Sequence, residues 1–367
     1  MIDFLIQLIP AVIILGVLIF VHELGHFLAC RFAGVKVEKF SIGFGPELTS
    51  WQGRETRYSI SLIPFGGYVK PKGESYEEIE KQDREPQTGD FLAASRRNRF
   101  LILIAGVAMN FVLAYVLFVA VMVMGQPVPA PKIGALIEGS PAEASGLRVG
   151  DEISHVNGSV VSSWQDLIMK ILGSDGSTLT LTLEREGKIH EIQVTPTLEE
   201  GSDVFGQRAR VPRIGIIRAD AFRIAKYPLA EAFVAAGVYE WNLTALTCRA
   251  LWRLVTGKLS PRTLVGPIGI VSLAGSAAKM GAATLLQFTG FLSVSLGVLN
   301  VLPIPALDGG HLLFLGIEAV RRKRVSPRLQ DRATQLGFYL IMALAVFVVF
   351  NDLVNLGMIQ KMKVFFS

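Results

Sequence analysis

Three long apolar runs, Phe4 to Ala29, Phe100 to Met124 and Leu336 to Leu356, restrict this chain more than any other feature of it. Each is long enough to cross a hydrocarbon core, which takes about 20 residues at helical rise. Lipid offers the backbone no hydrogen-bond partner, so such runs are satisfied as helices closed on themselves. The composition agrees: 51% of the 367 residues are hydrophobic, 18% are charged, and the mean hydropathy is +0.45. These values exclude an ordinary soluble globule. The net charge of +5 does not indicate nucleic acid, because Lys and Arg cluster beside the apolar runs and form no basic stripe with interleaved aromatics. The partner read from composition is the lipid bilayer.

A fourth run is interrupted. Leu285 to Val301 is apolar, Pro303-Ile304-Pro305-Ala306-Leu307-Asp308-Gly309-Gly310-His311 breaks it, and Leu312 to Val320 resumes before the basic run Arg321 to Arg324. A break at membrane depth needs protein or water around it. Lys and Arg near span ends stay in the cytoplasm. The loops Arg31–Arg99 and Arg321–Arg332 are rich in them and the first twenty residues have none, so both loops are expected inside and both termini outside. The first run has no basic leader and ends in Val21-His22-Glu23-Leu24-Gly25-His26, which is no cleavage site, so it is expected to stay in the mature protein. Leu229–Val255 is punctuated by Glu231, Glu240, Asn242, Arg249 and Arg253, and Trp241 and Trp252 suit an interface. It reads as a helix lying on the membrane. A fifth span there would move Asp308 to the opposite side from His22.

Between the second and third spans lies a folded segment. Ile133–Ile137, the turn Gly139-Ser140-Pro141, the run from Gly146 to Ile153, Val156-Asn157-Gly158, a helix near Ser163–Leu172 and the alternating strand Leu179–Leu183 make an α+β pattern. Its G-L-x-x-G-D-x-I and V-N-G signals resemble a PDZ domain. In permuted versions the peptide-binding strand comes last, and Arg213–Ile217 resembles that strand, with Ile214, Gly215 and Ile216 in the groove. Such grooves bind a peptide ligand as an added strand. A folded spacer that blocks access by bulk is the alternative reading.

The chemistry concentrates at the end of the first run. In H-E-x-x-H, residues four apart on a helix lie about 40° apart and one turn along, so His22 and His26 can share one tetrahedral metal. Glu23 then stands beside the metal as a general base that takes a proton from water. A catalytic metal needs a third protein ligand, and Asp308, an acid in apolar surroundings flanked by Gly309 and Gly310, is the distant residue that stands out. Acids in mid-span cost about 2.5 to 3.5 kcal/mol each on insertion scales, so Glu23 and Asp308 call for a cation or a wet cavity. Residues snorkelling to the interface are the bland alternative.

H-E-L-G-H at the end of the first span, with N-x-x-P-x-P-x-L-D-G-G-H at Asn300–His311, resembles the site-2 protease family, peptidase family M50. Members carry a membrane-associated β-hairpin after the first span, and Phe40–Pro46 and Tyr58–Tyr68 resemble it. The implied fold is a polytopic α-helical membrane protein with four transmembrane helices, termini outside, that β-hairpin and an inserted α+β PDZ domain. The expected order is the first helix in 1–33, a cytoplasmic loop with the hairpin in 34–99 and the second helix in 100–125. A periplasmic PDZ domain follows in 126–222, then interfacial amphipathic helices in 223–283 and a third transmembrane segment in 284–322. A cytoplasmic loop in 323–335 and a fourth helix with tail in 336–367 complete it.

The resemblance implies one Zn2+ ion on His22, His26 and Asp308 with Glu23 as base. It implies substrate handling by Asn300, Pro303 and Pro305, and by Gly43, Gly45, Gly66 and Gly67 of the hairpin. Asn300 could bond an extended substrate or the oxyanion, or cap the broken helix, and His311 could support the site or simply start a helix. The implied setting is a bacterial inner membrane, with the active site near its cytoplasmic side. The implied substrates are single-span membrane proteins, such as an anti-sigma factor or signal-peptide remnants, already cut on the periplasmic side. Family members that govern an envelope-stress sigma factor carry two PDZ domains, and this chain has room for one. A metal transporter or a catalytically dead scaffold are the rival classes. The first leaves the PDZ-like segment unexplained, and the second leaves a full ligand set idle.

Overall fold

The longer helices are, in chain order, α1 (Ile2–Phe32), α2 (Arg96–Met124), α3 (Trp164–Leu172), α4 (Leu229–Val255), α5 (Pro267–Lys279), α6 (Ala282–Val301), α7 (Asp308–Arg321) and α8 (Pro327–Asn355). They belong to a computed structural model that describes residues 2–74, 85–202, 208–323 and 325–355. Arg324 of the basic run and the end of the last expected segment, from Leu356, lie outside the described residues. Among those described, four helices are long and apolar enough to cross a membrane: Gln7–Phe32, Arg96–Met124, Ala282–Val301 and Arg328–Val354. The chain is a multi-pass membrane protein. Ile9, Ile13, Val116 and Val346 turn more than half of their surface outward, which is what a lipid-facing helix surface requires.

The chain forms two compact units, one holding the spans and the other running from Met122 to Ala232 with Thr256–Leu259. In the first, α1 is central. Its residues Ala11, Ile14 and Leu18 are buried against Val271 and Ala274 of α5. α5 therefore packs on a span. Small residues permit this approach, since a side chain at Gly275 would strike Gln7. α4, with its five interrupting polar residues, is not among the four candidate spans. It rests on α2, where the Tyr115 hydroxyl donates to the Phe233 carbonyl at 3.1 Å and Phe118 meets Tyr239 edge-on, and on α6, where Gln287 Nε2 donates to the Tyr239 hydroxyl at 3.2 Å. Near the end of α8, Asp352 accepts from the N–H groups of Gly266 and Gly269, both at 2.9 Å, and so caps the start of α5.

The loop after α1 is a hairpin of two long strands, β1 (Val37–Gln52) and β2 (Arg57–Pro71), each bent so that it pairs twice. Ser41 faces both Ser59 and Tyr68, and Tyr58 faces both Phe40 and Trp51. The result is four strand segments wide, in the order 49–52, 57–61, 39–42 and 67–71. Glycine makes the bends possible. Gly43 and Gly66 have φ of +90° and +138°, values that side-chain-bearing residues rarely adopt, and a side chain at Gly66 would enter the Phe44 ring.

The second unit has a four-stranded antiparallel sheet in the order β6 (Ser159–Val160), β5 (Glu152–Val156), β7 (Leu179–Arg185) and β8 (Lys188–Val194). The alternation of Leu179, Leu181 and Leu183 puts one face of β7 into a core with Ile153, Val156, Leu167 and Ile171. The expected peptide-binding strand is broken. Arg208–Arg213 pairs with Thr197–Ser202, Ile216–Arg218 pairs with Ile133–Leu136, and Gly215, at φ +82°, turns the chain between them. A cavity of about 290 Å³ runs along this break, lined by Ile168, Ile171 and Leu172 of α3 and by Ile214, Gly215 and Ile216.

Candidate metal centre

α1 and α2 run side by side, and their backbones meet closely because glycine occupies both sides of the contact. A side chain at Gly25 would strike the Ala105 carbonyl, and one at Gly106 would strike the imidazoles of His26 and His22. That intimacy leaves room beside α2 for two imidazoles one turn apart, set edge to face with 82° between their planes.

The third group arrives from the far end of the chain. α6 stops at Val301, and a turn closed by Ile304 N–H to Leu302 O at 2.7 Å and Leu307 N–H to Ile304 O at 2.9 Å carries the chain into α7, whose first residue is Asp308. Pro303 and Pro305 stand in this turn, where no helical hydrogen bond is asked of their nitrogens. Gly309 and Gly310 are required by it, since a side chain at either would collide with the backbone of 301–305. The turn delivers Asp308 Oδ2 to 3.1 Å from His22 Nε2 and 3.5 Å from His26 Nε2, while the two Nε2 atoms stand 3.2 Å apart. Asn300, on the last turn of α6, has its Nδ2 3.5 Å from His22 Nε2.

These separations fit a divalent ion. Ligands about 2.0–2.1 Å from a tetrahedral centre lie about 3.4 Å from one another, and the three observed distances bracket that value. The Asp308 Oδ2 atom is buried and accepts no hydrogen bond, an arrangement that calls for a cation. Among the described residues, His22, His26 and Asp308 are the group placed to hold a metal. Two nitrogens and one carboxylate oxygen match the protein donors of a catalytic zinc site, a type of centre that keeps its fourth position for water or substrate.

Glu23 is held separately. Its Oε2 accepts the Val69 N–H at 3.0 Å, so the inner edge of the hairpin fastens the carboxylate apart from the group formed by His22, His26 and Asp308. Gly67, two residues earlier, lies so close that a side chain would press on Glu23 and on the Ser41 carbonyl. Gly43 and Gly66 shape the hairpin's bends, and Gly45, at φ +82°, lies over the Ile63 side chain.

Three contributors are absent from the sequence reading. The Ile102 carbonyl receives His26 Nδ1 at 2.8 Å, Asn110 meets His22 Nδ1 at 3.2 Å, and Gly106 makes room between them. Asn110 carried a signal, being an uncharged polar side chain in the middle of an apolar run.

With this geometry in view, similarity to known proteins decides the class. The family model described as peptidase family M50 matches residues 10–344. The chain belongs to peptidase family M50. A relative from Mesorhizobium japonicum, carried under a provisional zinc-metalloprotease name, is 37% identical over 363 residues, covering 95% of this chain and 99% of its own. Provisionally named zinc metalloproteases of Rhizobium meliloti and Campylobacter jejuni are each 34% identical, covering 93% and 95% of this peptidase and 94% and 93% of their own lengths. The solved PDZ domain of an SdrC-like protein from Listeria monocytogenes is 26% identical over 24% of the chain and 86% of its own, with a TM-score of 0.20. This M50 peptidase is a zinc metalloprotease with membrane-spanning helices.

Proposed function

We propose that the protein cuts single-span membrane proteins within or beside their membrane segments, with one zinc ion on His22, His26 and Asp308 and with Glu23 as general base. The observation that carries this reading is the convergence of three donor atoms from opposite ends of the chain around a buried, unpartnered Asp308 oxygen. A zinc ion there would polarise the scissile carbonyl and raise the acidity of the attacking water. Glu23 takes the proton from that water and passes it to the departing amine nitrogen. Its tether to Val69 holds the carboxylate at one height along the site throughout.

A substrate helix hides its carbonyls in its own hydrogen bonds and must be drawn out before attack. The segment 67–71 has a strand partner on one side only, which leaves an edge beside Glu23 where an extended substrate can pair. Gly43, Gly45, Gly66 and Gly67 shape that edge, and Asn300 with the turn at Pro303 and Pro305 borders it from the metal side. The outer unit acts as a PDZ-type module. Its aliphatic groove at Ile214–Ile216 takes a peptide, and it admits substrates already shortened by a first, periplasmic cut. The protein resides in a bacterial inner membrane with both termini outside and the metal near the cytoplasmic side. Its substrates are of the anti-sigma-factor or signal-peptide-remnant kind.

The test uses the full chain in lipid vesicles, with zinc content and cleavage of a model single-span protein measured together. Wild type should hold one zinc per chain and yield peptide products that a chelator abolishes. Products that persist after complete zinc removal would remove this reading.

A further inference from the structure

The imidazole nitrogens that face away from Asp308 have partners, and both partners are on α2. His26 Nδ1 reaches the Ile102 carbonyl at 2.8 Å, and His22 Nδ1 reaches the Asn110 side-chain amide at 3.2 Å. Residues 102, 106 and 110 follow one another at intervals of four, so they form one stripe along the helix. The middle position is glycine, and any side chain there would occupy the volume of the two rings. Asn110 is fully buried. Its backbone carbonyl, within a helical turn already held by α2, also accepts from the Ser293 hydroxyl of α6 at 2.7 Å.

We propose that this stripe is the outer shell of the metal centre and that Asn110 is the positioning residue that sets the tautomer and ring orientation of His22. The inference rests on His22, His26 and Asp308 being the metal ligands. If each Nε2 faces the ion, each Nδ1 carries a proton and needs an acceptor, since an imidazole in this state is a donor at one nitrogen and a ligand at the other. The Ile102 carbonyl is such an acceptor. For His22 the near atom is Asn110 Nδ2 at 3.2 Å, while Asn110 Oδ1 is buried and has no partner among the described residues. Turning the amide over exchanges two atoms of like size, brings Oδ1 to Nδ1–H and gives both groups a partner. The choice of neutral acceptors has a physical reason. A divalent ion with Asp308 and Glu23 already balances in charge, and a further carboxylate behind each histidine would place uncompensated negative charge at membrane depth.

The experiment measures zinc affinity of the purified full chain by chelator competition, not turnover. Asn110→Leu keeps the volume and removes the acceptor, and affinity should fall about 10- to 100-fold. Asn110→Asp restores an acceptor and should return affinity to within a few-fold of wild type. Ser293→Ala loosens the same helix contact without touching the amide and should leave affinity unchanged. Undiminished affinity in Asn110→Leu, equal losses in the Leu and Asp variants, or an equal loss in Ser293→Ala each overturns the proposal. Asp308→Ala is measured alongside, and if it too keeps zinc the ligand assignment itself fails, a distinguishable result. Nitrogen-15 spectra of histidine-labelled, zinc-loaded wild type need no variant. They should show Nδ1 protonated in both His22 and His26, and ligation of His22 through Nδ1 would contradict the inference.

Discussion

The Val69 backbone N–H donates to Glu23 Oε2 at 3.0 Å, joining the inner edge of the first loop to the residue that stands beside the metal ligands. Glutamine at position 23 keeps an oxygen for this bond but has no carboxylate to take a proton. Glu23→Gln should therefore retain zinc at the wild-type stoichiometry while cleavage of a single-span reporter falls by about 10²- to 10⁴-fold. Metal analysis and product formation on the same preparation check it, and substantial cleavage by this variant would remove Glu23 from the proposed role.

In the proposed donor set Asp308 is the third ligand, so its loss should act on the metal itself. Asp308→Ala should lose zinc on dialysis, and added zinc should not restore its activity. Chelated wild type should recover when zinc is returned, because its three donors remain in place.

Gly106 is a test of geometry without chemistry. Alanine at this position introduces one carbon against His26 and His22 in the tight contact between α1 and α2. The rings must shift or the helices must part. Zinc affinity and activity of Gly106→Ala should drop together, whereas Gly316→Ala, where nothing stands within 4 Å of the new carbon, should behave as wild type.

Arg99 on α2 donates to Glu318 on α7 at 3.1 Å, and both side chains are buried. The other Glu318 oxygen accepts from Val325 N–H at 3.3 Å. Glu318→Leu should destabilise the protein by about 3–5 kcal/mol, because it strands a buried guanidinium. The double variant Arg99→Leu with Glu318→Leu should recover most of that loss. Thermal unfolding of the full chain in detergent measures both, and a double variant no better than the single one would contradict the account.

In the unit from Met122 to Ala232, Arg185 grips Asp151 with Nε at 2.8 Å and Nη2 at 2.7 Å. Burial pushes the Asp151 carboxyl up, but the Arg185 guanidinium and the Arg148 N–H together outweigh it and hold the carboxyl below its ordinary value of 3.8. A depressed carboxyl contributes stability that is present above the ordinary value and is lost as pH falls through the folded one. Hydrogen-exchange protection in β5 and β7 of the full chain, taken relative to the intrinsic rate at each pH, should fall below about pH 4 more steeply in wild type than in Asp151→Asn, which has no such proton to take up.

Local pattern made half of the site legible. The placement of His22, Glu23 and His26 follows from helix periodicity alone, and Asp308 was conspicuous as an acid beside two glycines in an apolar run. Asn110 and Gly106 were hidden for a different reason. Their meaning depends on which face of α2 meets α1, and an apolar span carries almost no periodic signal to say so. The double pairing of β1 and β2 was equally illegible, because a strand register records which residues alternate but not whether the strand has one neighbour or two. The break at Gly215 shows the same limit. The stretch Arg213–Ile217 reads as one strand, and only the two different partners of its ends reveal the turn.

The late arrival of Asp308 has a consequence for biogenesis. A ribosome that has made the histidine pair must still finish the unit from Met122 to Ala232 and α6 before the Asp308 carboxylate exists. At about 5–20 residues per second that interval lasts on the order of tens of seconds. Throughout it the nascent chain is inserted beside other unfinished membrane proteins with an incomplete centre. On the proposed ligand set, no hydrolytic centre can assemble before Asp308 emerges, and until then the growing chain passes its neighbours at the translocation channel without one.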